Sequence, residues 1–321
     1  MELKMLKIIF VCALTALAPL THANAMEPYE YAQPSSLASK ALLLDVAEIG
    51  SRLVAVGEYG HIIYSDDRGG NWTQAKNVPT RNTLTSVTFL DDKTGFAVGH
   101  DATILKTEDG GENWSLKYIE QRGENPLFGL QFSGATYGVA VGAFSTVMET
   151  KDGGETWAQR PLIENGYDDF HLNDLFKDAA GNLYIPAEFG VVYKSKDGGR
   201  TFTAIQTAYE GSFWGGMALA NNSLLIWGMR GNAYVSRDKG QSWVRSETNT
   251  DQSISGGTQL ANGTILLTGL SGLVLVSKDN GRTFEANVRA DRLSFAAVSS
   301  KSDGEVLLYG DPGVLSQELA N

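Results

Sequence analysis

The sequence predicts an all-β fold: a seven-bladed β-propeller of four-stranded antiparallel blades, its last blade closed by an N-terminal strand. Three observations predict it. An eight-residue pattern, Ser/Thr-x-Asp-x-Gly-x-x-Trp/Phe, occurs six times, and its aspartates Asp67, Asp109, Asp152, Asp197, Asp238 and Asp279 are spaced 41 to 45 residues apart. A fixed period near 40 residues marks a repeat architecture. Each period also holds short β-rich runs bounded by turn residues, with no sustained helical stripe. A second signature, a four-residue turn that begins or ends on glycine, occurs seven times, once more than the first.

The chain opens on a segment of a different kind. Lys4 and Lys7 precede an apolar run from Ile8 to Leu20, and Ala23-Asn24-Ala25 follows. A basic start, a run too short to span a bilayer and a small-residue site read as a secretory signal peptide over residues 1–25. The single cysteine, Cys12, lies inside that run, behind the bulky pair Phe10-Val11 that a lipoprotein cleavage site would not carry. The remainder, residues 26–321, is expected to be one propeller domain, periplasmic and without disulfides, stabilised by its core alone. Removing two lysines and one glutamate leaves a balance of 24 − 36 = −12. Such a charge argues against nucleic acid and anionic membrane as partners.

Tyr29-x-Tyr31 alternates as a strand does, and the segment Tyr29 to Ser35 is assigned to the last blade. Repeat two then shows the blade pattern best. Leu84 to Phe89, Gly95 to Gly99, Thr103 to Thr107 and Asn113 to Ile119 read as four strands, with the eight-residue pattern between the last two. The first strands carry small residues, such as Gly215-Gly216, Gly256-Gly257 and Ala296-Ala297, as the crowded wall of a central channel requires. Residues 293–317 hold three strand signals and stop, so an open edge would remain for the N-terminal segment to fill.

The repeated pattern is a turn with a mechanism. The aspartate accepts hydrogen bonds from backbone N–H groups ahead of it. The glycine two positions on takes φ > 0. The aromatics Trp72, Trp114, Trp157, Phe202, Trp243 and Phe284 then open the fourth strand and anchor it by burial. Six equivalent carboxylates on separate repeats cannot serve one active site, so they are assigned to structure.

Function is expected on the opposite face, which holds the second-to-third-strand turns and the links between blades, the least repetitive stretches of the chain. The candidates there are Arg81, His100, Asp101, Arg122, Phe144, Asp168, Asp169, His171, Glu188, Phe189, Tyr209, Trp214 and Arg230. Phe170, Phe213 and Trp214 are expected to be exposed anchors beside them. No metal-ligand spacing appears, since His61, His100 and His171 fall on separate blades, and no catalytic triad or phosphate loop is present. No cofactor is expected. The alternative is a glycan-binding propeller or a sialidase-like glycosidase, the latter drawing three arginines from Arg81, Arg122 and Arg230 and a carboxylate pair from Asp101, Asp168 and Glu188. The Arg-Ile-Pro stretch such enzymes carry near their start is missing; Tyr184-Ile185-Pro186 lies in the wrong repeat and lacks the arginine.

The eight-residue pattern resembles the Asp-box, or BNR repeat. With the Gly-Phe-Ala-Val-Gly type strands (Gly95 to Gly99, Gly138 to Gly142) and boxes such as Lys151-Asp152-Gly153-Gly154-Glu155-Thr156-Trp157, the whole chain after residue 25 resembles the photosystem II stability/assembly factor family. The resemblance implies a non-catalytic propeller that assists assembly of a membrane complex from its exported side. In bacteria without photosynthesis it implies association with membrane transport systems. The expected partner is therefore a protein, the exported part of a membrane complex or transporter, bound by a monomer.

Overall fold

The computed structural model describes residues 30–120, 123, 125–163, 169–302 and 304–319. The leader assigned to residues 1–25, and Tyr29, lie outside them. Seven antiparallel sheets stand in a ring. Six have four strands in sequence order. Blade one runs Leu43–Ile49, Arg52–Gly57, Ile62–Ser65 and Thr73–Gln74; blade two runs Leu84–Phe89, Gly95–Gly99, Ile104–Thr107 and Ser115–Tyr118. Blades three to six span residues 127–160, 176–206, 213–245 and 254–288. Blade seven has three strands, Phe295–Ser302, Glu305–Gly310 and Gly313–Glu318. The first strand of each blade packs on that of the next, and Phe295–Ser302 returns to Leu43–Ile49, which completes the ring.

Alternation decides what each blade buries. The second and third strands lie between neighbouring blades, bury both faces, and read as unbroken apolar runs such as Leu53-Val54-Ala55-Val56 and Leu224-Leu225-Ile226-Trp227. Core clusters consequently form between adjacent blades. One holds Val54, Val56 and Tyr64 of blade one against Val87, Ala97 and Leu105 of blade two.

The ring closes by lateral packing between blades seven and one. Leu307 and Tyr309 meet Leu53, Ala55 and Ile63, and Trp72 stands edge-on to Tyr309 at 6.0 Å. The Ser300 amide donates to Glu48 at 3.1 Å and Arg68 donates to Ser300 Oγ at 3.2 Å. The N-terminal segment takes no part as a fourth strand, so that assignment is corrected. The Ala32 amide donates to the Val78 carbonyl of blade one at 3.0 Å. The Gln74 side chain clamps the same segment, accepting from the Ser35 amide at 2.8 Å and donating to the Gln33 carbonyl at 3.0 Å. Pro34 has no N–H to give a ladder, and Tyr31 is exposed, so Tyr31 is not the inward residue of a half-buried strand. The short turn Ala38–Lys40 then buries Ala38 between blades seven and one.

Candidate functional site

The two ends of the ring carry different chemistry. At one end lie the six repeated boxes, built alike. In blade three the Thr150 hydroxyl donates to Asp152 Oδ1 (2.8 Å) and accepts from the Gly154 amide (2.9 Å). The Thr156 amide donates to Asp152 Oδ1 (3.0 Å) and its hydroxyl to Oδ2 (2.6 Å). The same contacts recur at Asp67, Asp109, Asp197, Asp238 and Asp279. The residue just before the aromatic is thus always Asn, Thr or Ser, a constraint the sequence pattern left blank. Hydrogen bonding from Thr156 and Asn71 holds Asp152 and Asp67 down to about 2. A carboxylate held this way is engaged by its own loop through both oxygens. Asp152→Ala is expected to lower the melting temperature and leave partner capture unchanged; unchanged melting with lost capture would make the box a site.

At the other end, the second strand of most blades runs into a single tight turn whose middle residue is left-handed. Those residues are Tyr59 (φ 56), Phe144 (φ 51), Phe189 (φ 55), Arg230 (φ 54) and Ser271 (φ 55). Glycine alone takes this conformation freely, so for the aromatics it is strained. The link leading into the next blade supplies the compensation. The Phe144 amide donates to His171 Nδ1 at 3.3 Å, that of Arg230 to Ser253 Oγ at 3.2 Å, and that of Ser271 to Ser294 Oγ at 3.2 Å.

Blades three and four converge most. Phe144 stands edge-on to His171 at 4.9 Å, and Phe170 packs on Phe189 at 5.0 Å. Glu188 accepts from the His171 amide at 2.9 Å, and the Ser145 amide donates to the Phe170 carbonyl at 2.8 Å. Phe144 is 51% exposed and Phe189 58%, so the patch presents aromatic faces to solvent with a carboxylate beside them. Phe144, His171, Glu188 and Phe189 are the candidates brought together. The others are apart. Arg81 is tied to Glu30 at 2.9 Å, and Asp101 is bound by Asn82 at 3.1 Å, both at the junction of blades one and two with His100. Arg230 is exposed on blade five. Arg122 and Asp168 lie outside the described residues. Two expectations are corrected. Phe213 is fully buried, packed on Tyr209 and Tyr234, so it belongs to the core, and Tyr209 lies half-buried against it. Trp214 is half-buried and lines the central channel, because alternation along its strand sends Phe213 and Trp214 to opposite sides.

That channel contains a cavity of about 540 Å³ reaching His100 on the turn face. Its wall holds two carboxyls the sequence reading missed. Asp45 accepts from the Val46 amide (2.8 Å), the Val87 amide (2.8 Å) and Ser86 Oγ (3.0 Å), and Asp174 from the Leu175 (2.7 Å) and Gly216 (3.0 Å) amides. Each bonds the first strand of its own blade to that of the next. Desolvation within the ring pushes Asp174 up to about 7 and Asp45 to about 6, and for Asp174 the charge of Asp45 adds to it. Among the described residues no Lys or Arg lines the cavity. The signal was available: two residues after the Leu, Ile or Phe that pairs with the end of the second strand, the other blades carry a small residue (Ser86, Gly129, Gly215, Gly256, Ala297), and blades one and four carry Asp45 and Asp174. Among the described residues no cluster of three or more His, Asp or Glu could hold a metal.

A family model described as photosynthesis system II assembly factor YCF48 matches residues 70–127 and 119–264, more than half of the chain. The chain belongs to this family. A solved YCF48 propeller, described as bound to D1 peptide, is 18% identical with a TM-score of 0.69, over 92% of this chain and 98% of that one. YCF48 from Cyanidioschyzon merolae is 14% identical with a TM-score of 0.67, over 91% and 99%. A virginiamycin B lyase from Staphylococcus aureus reaches a TM-score of 0.73 at 9% identity, over 88% and 96%. No curated protein matches the sequence. At these identities the structures show the shared ring alone. The lyase beside the YCF48 propellers illustrates why function must be argued from side chains.

Proposed function

We propose that this member of the YCF48 family is an exported, non-catalytic scaffold in the periplasm that binds a protein segment on its turn face and supports assembly or stability of a membrane complex. One observation carries the reading: Phe144 and Phe189 are held exposed, at left-handed φ, by contacts from neighbouring links. The left-handed turn recurs from blade to blade, so what sets this place apart is that two exposed aromatics are presented by neighbouring turns. Aromatic anchors with a polar rim are what protein interfaces use. A solved propeller of the family is described with a D1 peptide bound, which supports a peptide segment of a membrane protein as the class of partner. The arginines of this chain are scattered and its net charge is negative, so the segment it takes is expected to be cationic or apolar.

The test is crosslinking in intact periplasm and membranes, followed by purification of the chain and comparison of partner yield. Phe144→Ala with Phe189→Ala should cut the yield at least tenfold, about 1–2 kcal/mol per anchor. The melting temperature should barely move, because both rings are mostly in solvent. Arg230→Ala with Trp214→Ala should weaken capture less, since Trp214 faces the channel. Equal yield from the aromatic pair, with a loss from substitutions near Asp109 or Asp152, would move the surface to the opposite end. Hydrolysis of aryl glycosides or sialosides by the purified chain would replace the scaffold reading with a glycosidase.

A further inference from the structure

We propose that the outer edge of blade seven, with the groove beside it, is a second docking site, which takes an extended, aromatic-bearing segment of a partner protein as the missing fourth strand. Among the described residues Gly313–Glu318 is the outermost strand and pairs only with Glu305–Gly310. Its ladder runs from the Gly310–Gly313 pair at the turn to the Leu319 amide, which donates to the Gly304 carbonyl at 2.8 Å. Because hydrogen-bonded pairs alternate in an antiparallel ladder, the backbone groups of Val314, Ser316 and Glu318 point away from the sheet. Among the described residues nothing pairs with them. Exposed edges of this kind template the addition of a strand.

The other blades define what the added strand should carry. In each of them the box turn lays a glycine against the preceding blade: Gly69 against Leu307, Gly154 against Phe96, Gly199 against Val139, Gly281 against Val235. The box aromatic fills the space beside it, as Phe284 does against Leu225 and Trp227. Blade seven has no box, so blade six lacks this cover. Val235 of blade five is 2% exposed, whereas its counterpart Val276 in blade six is open enough to line a groove. That groove, about 600 Å³, is floored by Val274 and Val276 and bounded by Val288, Arg289 and Leu319. Val288 is 43% exposed there. The chain's own N-terminal segment is engaged at blade one through Ala32 and Ser35. A partner strand led by a Trp or Phe supplies both what the edge lacks and what the groove lacks. This inference does not depend on the turn-face reading, and the two are tested by different residues.

The probe is a fluorescent synthetic peptide of residues 150–160, which holds one complete box, Trp157 and the fourth strand of blade three. Fluorescence anisotropy with the purified chain should show saturable binding. Trp157→Ala in the peptide should weaken it at least tenfold. Ser316→Pro in the protein should do the same, since it removes an outward amide while leaving the inner ladder intact. Val276→Lys should also weaken it, and Ser316→Thr should not. Absence of binding by the wild-type chain, or binding indifferent to Ser316→Pro and Val276→Lys, overturns the proposal. So does a concentration-dependent dimer abolished by Ser316→Pro, which would make a second copy the occupant.

Discussion

Trp157→Ala is expected to destabilise the chain by about 3–5 kcal/mol, the usual cost of truncating a buried aromatic to alanine. Trp157 is 8% exposed and stands edge-on to both Phe96 (6.4 Å) and Phe132 (6.1 Å), which stack on one another at 4.6 Å. Its indole N–H donates to the Gly154 carbonyl at 3.2 Å, so the ring also fixes the box turn that presents it. Two losses follow from one substitution. A cavity opens between blades two and three, and the turn loses its tie. The side chains around the cavity are themselves large and sit in the second and first strands of those blades, so collapse into the space is limited. Urea denaturation followed by circular dichroism checks this. Trp157→Phe should recover part of the loss, because it restores ring contacts and not the hydrogen bond. A cost for Trp157→Ala below about 1 kcal/mol would show that the box aromatics are surface decoration and that the boxes do not cement the blades.

The repeat made most of the ring legible. The second and third strands declare themselves because burial on both faces demands continuous apolar runs, and the boxes because the loop needs a carboxylate, a glycine and an aromatic at fixed offsets. What escaped were features that depend on a neighbour rather than on a residue's own segment. The Asn, Thr or Ser ahead of each aromatic answers the second carboxylate oxygen, visible only once the loop is closed. The N-terminal segment alternates as a strand would, yet Gln74 draws it to blade one. Trp214 and Phe213 were both candidates for exposure, and one step of pleat sends one into the channel and the other into the core. On the turn face, sequence reading offered Phe144, His171, Glu188 and Phe189 among its candidates. It could not tell that these four meet while Arg81 and Arg230 stand apart, because ring position sets that distance. Asp45 and Asp174 escape a reading by pattern because they are the two exceptions to the small residues that line the channel.

Those exceptions set the last expectation. A carboxyl whose pKa is raised on folding stabilises the fold fully below its unfolded value, and that contribution is lost as pH rises through the folded one. For Asp174 the window runs from about 3.8 to about 7, and for Asp45 to about 6, with burial as the cause in both. At about 1.4 kcal/mol per unit, and with both groups partly open to the channel, wild type should lose on the order of 1–3 kcal/mol from Asp174 between pH 4 and pH 8. His61 works the other way in part of this range: burial lowers its pKa, so it costs stability as pH falls below the unfolded value. The box carboxylates held near 2 in the fold also work the other way, at the acid end: their unfolded value is 3.8, so they lose stability as pH falls below about 5 and contribute no slope above it, and like His61 they are common to wild type and variant. A comparison of wild type with Asp174→Asn removes the His61 contribution, which is common to both. Asparagine mimics the protonated acid in shape and keeps an acceptor for the Leu175 or Gly216 amide. The variant should therefore melt close to wild type at pH 5 and several degrees above it at pH 8. Asp45→Asn should show the same sign with a smaller gap, because its carboxyl has three hydrogen-bond donors rather than two to offset desolvation. If Asp174→Asn is instead less stable than wild type at pH 8 and level with it at pH 5, the carboxylate is ionised and compensated in the folded channel. The channel would then be electrostatically satisfied rather than strained.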